Sequence, residues 1–409
     1  MVQMESRGAD RVGRAGSSGC DMISAADAST LAVAGLGLLA VAFTVSVALG
    51  SGVRRWWPGY LADFPGGSLG HRVSIPLSGG FVFWSSCFVV FVAAGGVCLL
   101  GRPWLPTPIV RYLDGLWYRS GELGVILGLA TLVLLAGTAV DLFDLGWRSR
   151  VTLQVAVGLV LATLGTRVTL FWPFTYPAVG GLVTVLWVVG LMNAFAFLDN
   201  MDGLATGVGV IASATFAATQ VQVGGLFAPA ALLIVAGALG GVWVFNRYPA
   251  RLFLGTSGSW LIGFLLGALT IAGTYYRYEM GDSPNGVLSP LLVMAVPFYE
   301  SAVVFLLWLN ERDHPFLSNP RHFSYRLQQV GLAPAQSVAL LLLVSLGAGL
   351  GSLLLRQLNA FGTAVLLGQT ACLIGVVALV EVSAIRRQRA SRPGLLAAPG
   401  VPEVQGRMP

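Results

Sequence analysis

A succession of long apolar segments constrains this chain more than any other feature. A membrane-spanning helix needs about 20 mostly apolar residues. Eleven segments come close to that length or exceed it: 28–50, 79–100, 123–142, 151–171, 178–198, 204–223, 227–245, 254–276, 288–309, 336–355 and 361–385. Only 10% of the residues are charged, whereas about a quarter of a soluble domain is charged. The sequence therefore predicts an all-α, polytopic membrane bundle of about eleven transmembrane helices.

The polar segments divide the chain into three parts. Residues 1–27 are rich in Gly and Ser, and we predict a disordered N-terminal extension. Residues 28–385 contain the apolar segments and form one predicted transmembrane domain. Residues 386–409 are rich in Arg and Pro and are predicted to be a disordered tail. The sequence contains no Lys, so a cationic side chain that binds a phosphate strongly must be an Arg.

The Arg residues between the apolar segments are distributed unevenly. One alternating set of loops, together with the tail through residue 392, contains fourteen Arg, and the opposite set contains six. Arg-rich loops stay on the cytoplasmic side of a membrane. The Arg cluster before the first segment argues against a cytoplasmic position of the Arg-rich loops, but the count of fourteen Arg against six favours it. We expect the Arg-rich loops and the C-terminus to be cytoplasmic, in a multi-pass protein of the inner (plasma) membrane.

Seven carboxylates lie in loops on the same Arg-rich side. They are Asp63, Asp141, Asp144, Asp199, Asp202, Glu311 and Asp313. Carboxylates bind Mg²⁺, while Arg and backbone amides bind the remaining charge of a phosphate. For any single residue a solvated helix cap is the alternative, but the set favours a metal-bridged phosphate substrate at one membrane face. No basic run alternates with aromatic residues outside the apolar segments, so no nucleic-acid partner is expected.

One segment carries two of these carboxylates three residues apart. It reads Asn193-Ala-Phe-Ala-Phe-Leu-Asp199-Asn-Met-Asp202-Gly-Leu-Ala205. On a helix Asp199 and Asp202 share a face, and Gly203 permits close backbone approach. The segment resembles the NAxNxxDGxDGLA motif of the polyprenyl-phosphate sugar-1-phosphate transferases, of the glycosyltransferase family 4 type. That family includes the phospho-MurNAc-pentapeptide and undecaprenyl-phosphate GlcNAc-1-phosphate transferases.

Four further segments resemble motifs of that family, in the family's order along the chain. They are the first loop with Asp63, His71, Arg72 and Gly79-Gly80; Gly137 to Leu145 with Arg150 and Gln154; Asn246 to Ser259; and Pro315 to Leu332 with Arg321-His322. The segment Gly137 to Leu145 resembles GxxDDxxxL, and the segment Asn246 to Ser259 resembles N-x-x-P-A-x-x-F-x-GDSGS. The resemblance thus extends over nearly the whole chain.

The resemblance implies a phosphoryl transfer that depends on Mg²⁺, with Mn²⁺ as the alternative metal. A polyprenyl phosphate would attack the β-phosphate of a UDP-sugar and UMP would leave, as a step of cell-wall or surface-polysaccharide synthesis. The implied catalytic residues are Asp141, Asp199, Asp202 and His322, the three Asp also being metal ligands. The implied substrate-binding residues are Asn193, Asn246, Arg72, His71, Arg150, Arg321 and Gly203. A homodimer is the default expectation for oligomeric state.

The chain departs from the family's motifs at several polar positions. Val140 replaces the first Asp of the paired-aspartate motif, and Thr256 replaces the Asp of the GDSGS motif. Ser324 and Tyr325 replace two His beside His322. A Thr hydroxyl can ligate Mg²⁺, but it lacks the negative charge that supports tight binding of a hard cation.

These departures leave alternatives to an active transferase. One is a catalytically degenerate member that serves as a lipid- and nucleotide-binding membrane scaffold. Its rival is a reduced but working site, in which Asp144 or Asp313 compensates. A transporter of lipid-linked sugars is the alternative from another class, but transporters place ionisable groups near segment midpoints. Here the acidic residues cluster at segment ends.

Glu300 is an exception to that clustering, because it lies within an apolar segment after Pro297. A carboxylate facing lipid is costly. We therefore expect Glu300 to face the interior of the bundle.

Overall fold

A computed structural model describes residues 25–56, 62–63, 75–169, 176–276, 283–311 and 331–391. The predicted N-terminal extension lies almost entirely outside these ranges. The predicted boundary at residue 385 falls inside a helix that continues to Ser391, and the rest of the tail lies outside the described residues.

Thirteen α-helices are present in the described ranges. They are α1 (Ala25–Trp56), α2 (Gly79–Leu100), α3 (Thr107–Tyr118), α4 (Ser120–Phe143), α5 (Trp147–Thr163), α6 (Pro177–Leu198), α7 (Leu204–Gln222), α8 (Phe227–Asn246), α9 (Gly255–Ala272), α10 (Ser289–Val293), α11 (Ala295–Glu311), α12 (Pro334–Ser352) and α13 (Ala360–Ser391). Short 3₁₀ turns occupy Arg102–Trp104, Pro284–Leu288 and Leu355–Gln357. Two strands, β1 (Ala62–Asp63) and β2 (Ile75–Pro76), pair antiparallel, with Asp63 opposite Ile75.

The helices confirm the polytopic membrane class, and the predicted number of spans proves approximate. Among the described residues, nine helices are long and apolar enough to cross a membrane. A tenth span is possible if the 3₁₀ turn and α10 are counted together with α11, to which they are bent by 58°. Helix α5 coincides with the remaining predicted segment, but it has only 17 residues, at the short end of the spanning range.

The bend before α11 has an explanation in the sequence. Pro297 has no N–H to donate to the carbonyl four residues earlier, and its ring clashes with a continuing helix. A regular helix therefore cannot pass undisturbed from α10 through this position. The single apolar segment predicted here is instead two helices that meet at Met294.

The core is centred on α9, whose residues are buried along nearly its whole length. Helix α9 packs against α2, α4, α6 and α7. At the crossing with α4 the backbones approach closely, since a Cβ added to Gly137 would lie 2.4 Å from Cα of Ser257. Small residues at such crossings are what allow helices to pack tightly in a membrane. Helices α1 and α13 lie at the periphery, and most of their side chains are accessible.

Candidate functional site

Seven helix ends meet at one face of the bundle. Helices α4, α6 and α8 end there, and α2, α5, α7 and α9 begin there. Backbone hydrogen bonds join them: the Gly79 and Gly80 amides donate to the carbonyls of Phe253 and Leu254, and the Phe253 amide donates to the Pro76 carbonyl. The turn 199–203 and the loop 246–256 lie at the centre of this arrangement, and we call it the site face.

Asp141 is held by the first turn of α9. Its Oδ2 accepts a hydrogen bond from the Thr256 amide at 3.0 Å. The Thr256 hydroxyl, the Ser257 amide and the Arg150 guanidinium also act on this carboxylate. The N-terminus of a helix carries partial positive charge and open N–H groups, so α9 fixes the charged end of Asp141 in place.

Asp202 is held by the neighbouring loop. Its Oδ2 accepts a hydrogen bond from the Ala250 amide at 2.9 Å. Gly203, the next residue, has φ +82, a left-handed conformation that glycine adopts at little cost. A Cβ at Gly203 would lie 3.0 Å from Cα of Arg247. Only a glycine therefore satisfies both the turn and the close approach of the two loops.

Asn246 joins the same two loops. Its Oδ1 accepts hydrogen bonds from the Gly203 amide at 3.2 Å and from the Thr206 hydroxyl at 2.9 Å, and its Nδ2 donates to the Leu252 carbonyl at 3.0 Å. The side chain is 2% exposed. Both polar atoms are engaged inside the protein, so Asn246 acts in this structure as a positioning residue. Direct contact with substrate stays a prediction.

Asn193 is engaged in a similar way, farther inside the bundle. Its Nδ2 donates to Oε1 of Gln154 at 2.7 Å and to the Val189 carbonyl at 2.8 Å. The reciprocal hydrogen bond, from Nε2 of Gln154 to Oδ1 of Asn193, is 3.4 Å long. The amide pair connects α5 to α6, which carries Asp199 at its C-terminal end.

Asp199 lies within electrostatic range of Asp141 and Asp202. Burial raises its pKa well above the usual value of a carboxyl group, and the charges of Asp141 and Asp202 raise it further. Asp199 and Asp202 belong to the same turn after α6, whereas Asp141 lies in the last turn of α4, so only the tertiary structure could bring Asp141 within electrostatic range of Asp199. Such mutual repulsion is relieved when a cation binds nearby.

The donors fit a loosely held Mg²⁺. Within the described ranges, no three Asp, Glu, His or Cys side chains converge closely enough to enclose a metal ion. Magnesium does not require such a cage, because it keeps several waters and is usually bound by one or two carboxylates together with substrate phosphates. Asp199 with Asp141 or Asp202 would supply that number. Magnesium binding therefore stays a prediction.

Arg150 lies at the edge of this cluster. Its Nε donates to the Leu145 carbonyl at 2.8 Å, and its Nη2 is 3.7 Å from Oδ1 of Asp144. Asp144 caps α4 in a left-handed conformation with φ 44, and its side chain points fully into solvent. Arg150 thus stabilises the turn between α4 and α5 while it faces Asp141.

Several predicted site residues cannot be placed. His71, Arg72, Arg321 and His322 lie outside the described residues. Strand β1 includes the backbone of Asp63, whose side chain is outside the described part of the structure. The roles predicted for these residues stay predictions.

The two substituted positions differ in their surroundings. Val140 is 0% exposed and packs in the hydrophobic core. Thr256 is half-buried and faces Asp141. The position of Thr256 therefore belongs to the site, whereas the side chain of Val140 points away from it.

Sequence reasoning missed one contact at the site face. Nδ2 of Asn200 donates to Oε1 of Glu300 at 3.3 Å. Glu300 is 1% exposed, which confirms that it faces the bundle interior. Its position in an apolar segment was a visible signal, but its partner lies a hundred residues away in the chain.

Comparison with known proteins agrees with this architecture. The chain is an integral membrane protein of the polytopic helical class. A sequence profile described as glycosyl transferase family 4 matches residues 123–274. The match runs from α4 to the end of α9, and it includes Asp141, Asn193, Asp199, Asp202 and Thr256.

Individual relatives extend the similarity. The chain is 30% identical over 299 residues to a decaprenyl-phosphate N-acetylglucosaminephosphotransferase of Mycolicibacterium smegmatis, covering 66% of this chain and 70% of that protein. It is 23% identical over 255 residues to the "Probable undecaprenyl-phosphate N-acetylglucosaminyl 1-phosphate transferase" of Bacillus subtilis, covering 60% of this chain and 68% of that protein. A phospho-N-acetylmuramoyl-pentapeptide-transferase of Lactobacillus gasseri is 40% identical over 90 residues, covering 22% of this chain and 28% of that protein. The chain belongs to glycosyl transferase family 4.

Proposed function

We propose that this protein transfers a sugar 1-phosphate from a UDP-sugar to a polyprenyl phosphate at the cytoplasmic side of the inner membrane. The observation that carries the proposal is that backbone amides of the loop 246–256 hold both Asp202 and Asp141, which lie near Asp199 at the level where helices end. The names of the M. smegmatis and B. subtilis relatives support a polyprenyl-phosphate acceptor and an N-acetylglucosamine phosphate donor.

The proposed reaction exchanges one P–O bond for another. An oxygen of the lipid phosphate attacks the β-phosphorus of the UDP-sugar, the bond between the β-phosphorus and the bridging oxygen breaks, and UMP leaves. The product is a lipid-linked pyrophosphoryl sugar. Catalysis of such a step is mostly positioning and neutralisation of charge.

Different residues of this chain would bind the cation and position the site. Asp199 with Asp141 or Asp202 would hold the divalent cation, which, when bound, neutralises phosphate charge. Asp141 and Asp202 are already fixed by backbone amides, so little reorganisation is needed. The turn 199–203 is fixed through Asn246.

The Arg residues at the site face support an anionic substrate and a cytoplasmic orientation. Arg148, Arg247 and Arg251 are exposed there, and Arg54 lies 5.8 Å from the centre of the Phe245 ring at the same face. Positive charge around a site raises the local concentration of a nucleotide. The same charge favours the cytoplasmic side.

The test is release of UMP from purified protein with Mg²⁺, decaprenyl phosphate and a panel of UDP-sugars. We expect UMP to form with a UDP-N-acetylhexosamine and to depend on both the lipid phosphate and the metal. Absence of UMP with every donor, from protein shown to be folded, would sink the proposal. The same panel identifies the sugar.

Orientation is tested separately by labelling. In a variant whose Cys20, Cys87, Cys98 and Cys372 are replaced by Ser, a cysteine introduced at exposed Arg251 should react with an impermeant maleimide only from the cytoplasmic side. A cysteine at exposed Trp104, beyond the other end of α2, is the matched control and should react only from outside. The reverse pattern would overturn the proposed orientation.

A non-catalytic scaffold is the second candidate function, and the observation that favours it is Thr256. A hydroxyl stands where the family's motif has a carboxylate, and it faces Asp141 directly. The scaffold would bind the UDP-sugar without releasing UMP. Equilibrium binding of a UDP-sugar, measured beside the UMP assay, separates the two candidates. A transporter is not favoured by the relatives, which are named as transferases.

A further inference from the structure

Glu300 is a buried carboxylate that the proposed reaction does not use. It is 1% exposed within a bent, membrane-embedded pair of helices. Burial of a carboxylate in such surroundings is costly, and residues of this kind are usually retained for a function. No other Asp, Glu or Arg among the described residues is as fully buried.

Glu300 contacts the turn 199–203, which carries Asp199 and Asp202. Its Oε1 accepts a hydrogen bond from Nδ2 of Asn200 at 3.3 Å. Asn200 lies between Asp199 and Asp202 in a turn of five residues, in which Asp202 also accepts a hydrogen bond from the Ala250 amide. The Asp199 amide donates to the Phe195 carbonyl at one end, and the Gly203 amide donates to Asn246 at the other.

The helix that carries Glu300 is itself held against the core. The rings of Phe298 and Trp187 pack edge to face with centroids 5.6 Å apart. Nε1 of Trp187 donates to the hydroxyl of Thr270 at 3.0 Å, which ties α6 to the central helix α9. Glu300, two residues after Phe298, is therefore presented to the turn from a rigid support.

We propose that Glu300 is a positioning residue: through Asn200 it holds the middle of the turn 199–203, so that Asp199 and Asp202 keep the separation needed for one cation and its phosphate. The inference deepens the transferase proposal and rests on it for its catalytic consequence. Misplacement of a catalytic group by about an ångström is enough to lower a rate substantially. The position of the turn itself can be tested without activity.

The variants are chosen to separate positioning from stability. Glu300→Leu removes the acceptor and the buried charge but fills similar space. Glu300→Gln keeps an acceptor oxygen, and Asn200→Ala removes the donor. Glu122→Gln is the matched control, because Glu122 is a partly buried carboxylate paired with Arg119 at 2.7 Å at the other end of the bundle.

The first measurement is amide hydrogen exchange across residues 199–204 in metal-free, substrate-free protein. Glu300→Leu and Asn200→Ala should each speed exchange about five- to tenfold, as expected for loss of one buried hydrogen bond. The double variant should be no faster than either single variant, because both remove the same contact. Glu300→Gln should remain within about twofold of the wild type, and Glu122→Gln should leave the turn unchanged.

The second measurement is UMP release. Glu300→Leu should lower kcat about tenfold and raise the Mg²⁺ concentration for half-maximal rate, without lowering the thermal midpoint, because an apolar residue replaces a buried charge. Glu300→Gln should restore most of the rate. Unchanged exchange in Glu300→Leu, additive effects in the double variant, or a rate loss explained wholly by unfolding would each overturn the proposal. If the wild type releases no UMP, the proposed function fails, while the exchange data still decide the role of Glu300.

Discussion

The two ends of the helical bundle treat charge in opposite ways. At the end away from the site, Glu122 is paired with Arg119 at 2.7 Å. Arg119 also donates to the Ala272 carbonyl at 2.8 Å and lies 4.6 Å from the centre of the Phe227 ring. Arg356 likewise caps the end of α7 by donating to the Gln222 carbonyl. These Arg residues are used to close helix ends.

At the site face, Asp199 lies near both Asp141 and Asp202, whereas Arg150 lies beside Asp144 and acts on Asp141. Asp141 and Asp202 accept hydrogen bonds from backbone amides, and both oppose ionisation of Asp199. Carboxylates therefore lie near like charges at the site face, whereas Glu122 at the opposite end is paired with Arg119. The site face thus combines carboxylates held by backbone amides with exposed Arg residues, which suits the cation and anionic substrate that we propose, whereas the Arg residues of the opposite face close helix ends.

Neutralising a carboxylate at each end gives the largest expected difference. Asp199→Asn should reduce the rate of UMP release about a thousandfold, because loss of a preorganised charged group at a reaction centre lowers rates by about that factor. Glu122→Gln should change the rate less than about threefold, since its ion pair only supports structure. The measurement is the initial rate at saturating Mg²⁺. Equal losses in the two variants would break the comparison.

The packing that brings Asp141 to α9 should be the next most sensitive feature. Gly137→Ala should destabilise the protein by about 1–3 kcal/mol, because the added Cβ would overlap Ser257 and force α4 away. Gly128→Ala on the same helix has no atom within 4 Å of the added Cβ and is the matched control. Thermal unfolding of both variants checks this, and equal midpoints would contradict the close crossing.

The burial of Asp199, together with the nearby charges of Asp141 and Asp202, predicts a dependence of stability on pH. The raised pKa of Asp199 means that the folded protein binds this proton more tightly than the unfolded chain. Stability should therefore fall as pH rises from about 4, the ordinary carboxyl value, through the raised value. Asp199→Asn should flatten the fall of the unfolding midpoint in metal-free buffer, and Glu122→Gln should preserve it. An unchanged slope in Asp199→Asn would show that the pKa of Asp199 is not raised in the folded protein.

The hydroxyl of Thr256 should give the smallest effect. Thr256→Val removes the side-chain contact to Asp141 but keeps the backbone amide that donates to it. We expect a reduction of UMP release of about three- to tenfold, the worth of one hydrogen bond to a charged group. Thr256→Ser, which keeps the hydroxyl, is the control and should retain most activity. A loss in both variants would assign the effect to packing.

The membrane-spanning architecture could be predicted because hydrophobic length is a local property. Segments of about 20 apolar residues have few alternatives to a helix in lipid. The break at Pro297 and the shortness of α5 changed the count of spans, because helix ends depend on turns and neighbours that apolar length does not record. The short amphipathic helix α3 was not predicted, since it lies in a polar connection.

The candidate site was predicted in part. Asp141, Asp199 and Asp202 were chosen from motifs; the structure places Asp141 and Asp202 within electrostatic range of Asp199, and their catalytic and metal-binding roles stay predictions. Asn193 and Asn246 were chosen as substrate contacts, but each uses its amide to join elements of the fold. The same residue type at the same spacing serves either purpose, so the motif alone could not distinguish them.

The sequence by itself determined that this protein resides in a lipid bilayer, that it is helical, and on which side of the bundle its polar residues gather. Each of these follows from the order of apolar and polar residues along the chain. Only the tertiary structure decided that Asn200 meets Glu300, that Val140 faces the core while Thr256 faces Asp141, and that Asp141 comes within electrostatic range of Asp199. Those relations join residues distant in the chain, and they depend on how closely the helices pack.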